Sequence, residues 1–236
     1  MGHIAVGTSG WSYDHWENLF YPEGLARSRW FGHYASIFTT VEVNYSFYRL
    51  PSASTIEAWA RKSPDGFRFA VKGSQLITHR LRLRDCDEAV GRFYERVLGL
   101  GEQLGAVLWQ LPPDLLRDEE LIDSFLAKLP ASVPVAVEFR DPSWMRRSVY
   151  DVLRRHAAAL VWVSSEHMPR VFADTAPLVY ARFHGLGGDF SHDYTAEELK
   201  PWVEALRGKD GYAYFNNDGL ARAPSNALLL RDLLAG

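Results

Sequence analysis

A chain of 236 residues, 47% hydrophobic and 23% charged, carries enough apolar sequence to bury a core without disulfides or a structural metal. Its net charge of −3 argues against a global basic field for nucleic acid, and its lone cysteine, Cys86, excludes an internal disulfide. No apolar run reaches the roughly 18 residues of a membrane span, and Met1-Gly2-His3 leads straight into Ile4 without signal-peptide regions. A cytoplasmic protein without membrane contact is therefore expected.

In chain order, short apolar runs alternate with segments of helical spacing. Residues 4–7 read as a first strand and 29–38 as a helix. A strand over 40–44 is followed by a helix over 54–62, with Ser54 as N-cap and Glu57 at capping-box distance. Residues 67–71 form the third strand, and 85–103 a long helix with Val90, Phe93, Val97 and Leu100 on one face. A strand over 106–110 precedes a helix over 119–129, which ends before Pro130. Strands over 135–139 and 160–163 flank a helix over 148–156. The last strands cover 178–183 and 212–215. The last helices cover 195–207, with the capping box Thr195…Glu198, and 224–234, with Pro224 at the first helical position.

Eight strands alternating with helices predict parallel pairing through right-handed crossovers. The expected fold is a single α/β (β/α)8 TIM-type barrel over residues 1–236. Its sixth helix is reduced, because only residues 168–173 are free to form it. An open doubly wound sheet would want a glycine-rich phosphate loop after the first strand, and none follows.

Barrels place chemistry at the carboxyl ends of their strands. Reading each run at its end gives Thr8, Ser9 and Trp11; Glu42, Asn44 and Tyr48; Lys72 with His79 in its loop; and Gln110. The later strands give Glu138 and Arg140, Ser164 and Glu166, Arg182 and His184, then Tyr214, Asn216, Asn217 and Asp218. Alternate residues share a strand face, so Glu42 with Asn44, Glu138 with Arg140, and Arg182 with His184 point the same way. Converging charges at a barrel mouth are costly unless paired, solvated or bound to a ligand. Pairs such as Glu138–Arg140 and Glu42–Arg182 could simply neutralise each other. Glu42, Glu138, His184 and Asp218 have the donor types of a divalent-metal site, although no close-spaced metal motif backs it. Cys86 sits in a polar run with no base beside it and reads as a structural thiol.

The same segments resemble the YecE-like barrels, a family of unknown function. The resemblance rests on residues 6–13 (Val-Gly-Thr-Ser-Gly-Trp-Ser-Tyr), 42–51 (Glu-Val-Asn-Tyr-Ser-Phe-Tyr-Arg-Leu-Pro), 69–73, 108–113, 137–140, 180–185 and 214–218. It runs essentially end to end and implies a TIM-type barrel akin to xylose-isomerase-like barrels and endonuclease IV. At the sixth strand end Ser164-Ser165-Glu166 stands where an aspartate is common in the family, so a role for that strand end is in doubt.

Three functions remain open. The first is an enzyme, a hydrolase, lyase or isomerase, acting on a phosphorylated or otherwise anionic ligand. Lys72, Arg140 and Arg182 would hold the anion, Glu42 or Glu138 would act as base, and His79 or His184 as acid. Trp11, Asn44, Tyr48, Gln110, Asn216, Asn217 and Asp218 are further candidate contacts. The second is a nucleic-acid-binding protein or a metal-dependent phosphodiesterase like endonuclease IV, with Arg80, Arg82 and Arg84 on phosphates and loop aromatics on bases. The third is a non-catalytic barrel that binds a metabolite. Oligomeric state leaves no trace in the sequence.

Overall fold

The apolar runs become strands buried on both faces, as a parallel sheet covered by helices requires. The computed structural model describes residues 2–188 and 190–236. The strands are β1 (Ile4–Thr8), β2 (Thr40–Val43), β3 (Arg68–Lys72), β4 (Leu104–Gln110), β5 (Val135–Glu138), β6 (Ala159–Ser165), β7 (Val179–Gly185) and β8 (Gly211–Phe215). They form one sheet in the order β1-β8-β7-β6-β5-β4-β3-β2, every ladder parallel. The two ends of that order meet at a parallel bridge between Ser9 and Glu42, which brings the sheet round into a nearly closed barrel.

That seam is held by a side chain in place of a ladder. Tyr34 Oη donates to Thr40 O at 3.0 Å and accepts from Thr8 N at 3.0 Å, so one hydroxyl serves backbone groups of β1 and β2. Gly7 permits the approach, since a Cβ there would lie 2.4 Å from Thr40 O.

The helices are α1 (Trp30–Ile37), α2 (Tyr45–Tyr48), α3 (Ala53–Lys62), α4 (Asp87–Val97), α5 (Glu119–Leu126), α6 (Arg147–Arg155), α7 (Ala196–Leu206) and α8 (Arg222–Ala235). Between β6 and β7 no helix forms, in line with the reduced sixth unit expected from the sequence. Thr195 and Glu198 make the expected capping box at α7. Three expectations are corrected. The cap of α3 is Ser52, whose side chain accepts from Thr55 N, and Ser54 lies inside the helix. The long helix over 85–103 stops at Val97 and continues as a 3-10 segment in which Gly101 has φ 56°. Pro224 is the third residue of α8, still in the first turn, where the missing N–H costs no helical bond. The single-turn α2 was not anticipated.

The core has two parts. Between sheet and helices lies a large apolar layer that includes Phe69, Trp109, Leu153 and Phe183. Inside the barrel a smaller cluster combines alanines (Ala70, Ala106, Ala136, Ala159) with Tyr180 and Tyr214. The small residues leave room for the two phenols to cross the interior, and that packing forms the floor under the mouth. Cys86 is buried against Leu83 O, which fits the structural reading.

The backbone is strained at one end. Among the described residues, positive φ at non-glycine positions occurs at Asn18, Arg82, Leu83, Asp85, Phe190, Leu220 and Ala221, all in loops that follow strands. Ala157, in a loop that enters a strand, is the exception. Such strain persists where the surroundings enforce it, and it collects at functional loops. No described helix is long and apolar enough to cross a membrane.

Candidate functional site at the carboxyl ends of the strands

Strand parity carries charged side chains inward at the same level. Glu42 is the penultimate residue of β2, Glu138 ends β5, and Arg182 and His184 alternate on β7; all four are buried. Arg182 is the hub. Its Nε and Nη2 donate to Glu42 Oε2 and Oε1 at 2.9 and 2.6 Å, a bidentate pair, while Nη1 donates to Glu138 Oε2 at 2.5 Å. Gln110 Oε1 also accepts from Nη1, at 3.3 Å.

Glu42 is saturated. Oε1 accepts from Ser9 Oγ as well as Arg182, and Oε2 from Tyr180 Oη as well as Arg182, each phenol or hydroxyl contact at 2.7 Å. Four donors occupy the roughly four lone-pair positions a carboxylate offers. Glu138 accepts from Arg182, from Arg140 Nη1 at 2.8 Å and from His184 Nε2 at 3.1 Å. Burial works to raise its pKa, but Arg182, His184 and Arg140 outweigh burial and hold the carboxyl well below the usual range. The expectation that Glu42 or Glu138 supplies a general base is thereby corrected. Glu42 has no lone pair left for a proton, and Glu138, which already accepts three bonds and is depressed in pKa, is poorly suited to take one.

His184 is oriented at both nitrogens. Asn216 Nδ2 lies 3.1 Å from Nδ1, and Nε2 lies 3.1 Å from Glu138 Oε1 with Arg140 and Arg182 Nη1 at 3.3 and 3.4 Å. Burial, the largest influence, pushes its pKa down, so the ring is a neutral link in the network. Tyr180 was missed among the sequence candidates, although it shares the parity of Arg182 and His184. Burial, reinforced by Glu42, holds its phenol protonated.

Lys72, at the end of β3, differs. Its Nζ stands 4.2 Å from the Phe47 ring centroid, and no hydrogen bond or ion pair among the described residues reaches it. Burial, then the nearby Arg182, lowers its pKa to about 8. His79 lies in a π-helical turn, Leu76–Arg80, with its ring 5.0 Å from the same Phe47 ring and Nδ1 2.8 Å from Thr78 Oγ1. π-Turns are rare and recur at functional sites. Burial and then Lys72 lower the His79 pKa.

The remaining candidates divide. Asn44, Trp11 and Tyr48 line a separate cleft of about 460 Å³ beside the mouth. Asp218 turns to the β1 loop, accepting from Trp16 Nε1 at 2.7 Å and facing His15 Nε2 at 2.9 Å. Asn217 is buried and donates to His192 O and Asn226 Oδ1, a packing arrangement. The metal expectation finds no geometry: among the described residues no three His, Cys, Asp or Glu side chains group around a common point. Two of the four candidates are taken by Arg182 and Asp218 faces elsewhere. The basic run is also partly neutralised, since Arg82 pairs with Asp114 and Arg84 with Asp118, leaving Arg80 exposed.

The family model described as protein of unknown function DUF72 matches residues 5–236. The chain belongs to the DUF72 family. Among DUF72 relatives, the UPF0759 protein YunF of Bacillus subtilis is 27% identical, over 98% of this chain and 94% of that protein. The UPF0759 protein YecE of Escherichia coli K12 is 29% identical over 77% of this chain, a match spanning 62% of YecE. A DUF72 protein of known structure from Thermotoga maritima superposes with a TM-score of 0.86 at 29% identity, covering 99% and 100% of the two chains. One from Enterococcus faecalis, at 22% identity and a TM-score of 0.84, shares the fold. The resemblance and the barrel expected from the sequence are both borne out.

Proposed function

We propose that the barrel mouth binds a small anionic ligand through Lys72, assisted by Arg140. The observation that carries this reading is the charge balance. Glu42 and Glu138 face Arg182, Arg140 and Lys72, one more cation than anion once His184 is neutral. The surplus falls on Lys72, the one of the three without a carboxylate partner. A half-buried ammonium with no counter-ion is unfavourable in the free protein, and an anion removes that cost. Arg140 is 26% exposed on its side chain and engages Glu138 through Nη1, which leaves its Nε and Nη2 donors uncommitted among the described residues.

Proton transfer on such a ligand falls to Lys72 and His79, the two titratable groups at the open edge, in place of the acids. Lys72 near pH 8 is suited to give up and regain a proton at neutral pH. A phosphate or carboxylate ester fits this chemistry, and it makes a metabolite enzyme the favoured form of the function.

A thermal-shift titration with inorganic phosphate and pyrophosphate tests the reading. Wild type should gain melting temperature with concentration, and Lys72→Met should gain none. Equal gains in both proteins would remove Lys72 from the site.

A further inference from the structure

The cleft beside the mouth is not used by the charge network. It lies between the ends of β1 and β2 and is walled by Trp11, Tyr13, Tyr48 and Trp59. Its shape follows from local rules. Gly10 has φ 99°, and a Cβ there would sit 2.4 Å from Tyr13 Oη, so the turn after β1 lets Tyr13 fold back and donate to Ser9 O. Trp11 is fixed edge-on between Phe31 and Trp59, with ring centroids 5.3 and 5.7 Å away. Of the other aromatics at the cleft, Tyr48 is 72% exposed and neighbouring Tyr45 52%.

The cleft is joined to the mouth twice. Tyr13 bonds Ser9 O, and Ser9 bonds Glu42. Tyr48 packs edge-on to Phe47, centroids 5.0 Å apart, and Phe47 carries Lys72 on its face. The largely buried Phe47 ring thus touches both the amine and the Tyr48 ring at the border of the cleft. Polar groups in the cleft are few. Asn44 makes no side-chain hydrogen bond, and its Oδ1 is buried without a partner. A sugar, with a hydroxyl on nearly every carbon, would leave most of its hydrogen bonds unmade there. A flat ring with a polar atom at its edge would not.

We propose that this cleft receives the planar aromatic ring of a ligand whose anionic group lies against Lys72. The ligand class is then a phosphorylated or carboxylated aromatic or heteroaromatic compound, a refinement that rests on the anion reading above.

Calorimetric titration of the full chain with inorganic phosphate, phenyl phosphate and cyclohexyl phosphate separates the two claims. Phenyl phosphate should bind about tenfold or more tightly than phosphate, as expected for one stacked ring, and more tightly than cyclohexyl phosphate. Tyr48→Ala, at a surface position that leaves the fold intact, should erase the preference. Equal affinity for phosphate and phenyl phosphate, or a preference that survives Tyr48→Ala, overturns the ring site and leaves the anion site standing. Cyclohexyl phosphate matching phenyl phosphate overturns the planar class. If none of the three binds, the anion reading itself fails.

Discussion

Two halves of the same mouth are built on opposite terms. Across β2, β5 and β7 every charge is answered: Arg182 bridges two buried glutamates, Tyr180 and Ser9 complete Glu42, and Arg140 and His184 also bond Glu138. Across β3 and its loop an amine and an imidazole both pack against the Phe47 ring, with no ion pair on the amine among the described residues. The first half resembles the inside of a protein and the second an unfinished contact. Residue type alone does not separate them, since each half holds a basic side chain and a histidine. Whether a buried charge serves the fold or a ligand is decided by whether its partners are already present.

Breaking the sealed half should cost the most. Arg182→Met leaves Glu42 and Glu138 buried without their shared cation, and a loss on the order of 3–5 kcal/mol in denaturant unfolding is expected. Tyr34→Phe strands Thr8 N and Thr40 O at the seam and should cost about 1–3 kcal/mol in the same measurement. On the open half, Lys72→Met should change stability by no more than about 1 kcal/mol, because no partner is orphaned. A large destabilisation there would show that the two halves are not different.

The pH dependence sharpens the contrast. The unfolded chain keeps the Lys72 proton to its ordinary value of about 10.5, whereas the folded chain releases it at about 8. The unfolded state thus binds more protons between these values, and this group adds stability as pH rises from 8 to 10.5. Anion binding should fall over the same rise. Glu138 has the same sign in an acid window. Its folded pKa is depressed, so its contribution is complete above the ordinary carboxylate value and is lost only as pH falls through the folded one. Urea midpoints measured across pH 2–10 in wild type, Lys72→Met and Glu138→Gln resolve both effects. The smallest change is expected for Arg82→Gln with Arg84→Gln, which breaks two exposed ion pairs and should leave stability unchanged within error.

The barrel was legible because both periodicities were strong: apolar runs of four to seven residues and helices with clear apolar faces. Glu42, Glu138, Arg140, Arg182 and His184 were legible for the same reason, since parity alone aligns them. Their roles were not. Glu42 and Arg182 are 140 positions apart, and only the closed barrel shows that one guanidinium serves two acids. Tyr180 lay on the right parity but read as core because a phenol satisfies both descriptions. Ser54, with Glu57 three residues on, fits the capping pattern better than Ser52, but the extended backbone is at Ser52 and the helix has already begun at Ala53. Asn217 and Asp218 follow β8 as expected, but their partners come from distant loops.

The most direct measurement is calorimetric titration of inorganic phosphate into wild type and Lys72→Met at pH 6.5 and 9.5. The expected result is binding by wild type at pH 6.5, at least about tenfold weaker at pH 9.5, and absent from Lys72→Met at both. Undiminished binding by Lys72→Met, or wild-type binding unaffected by pH, would contradict the assignment of Lys72 as the open cation of this barrel.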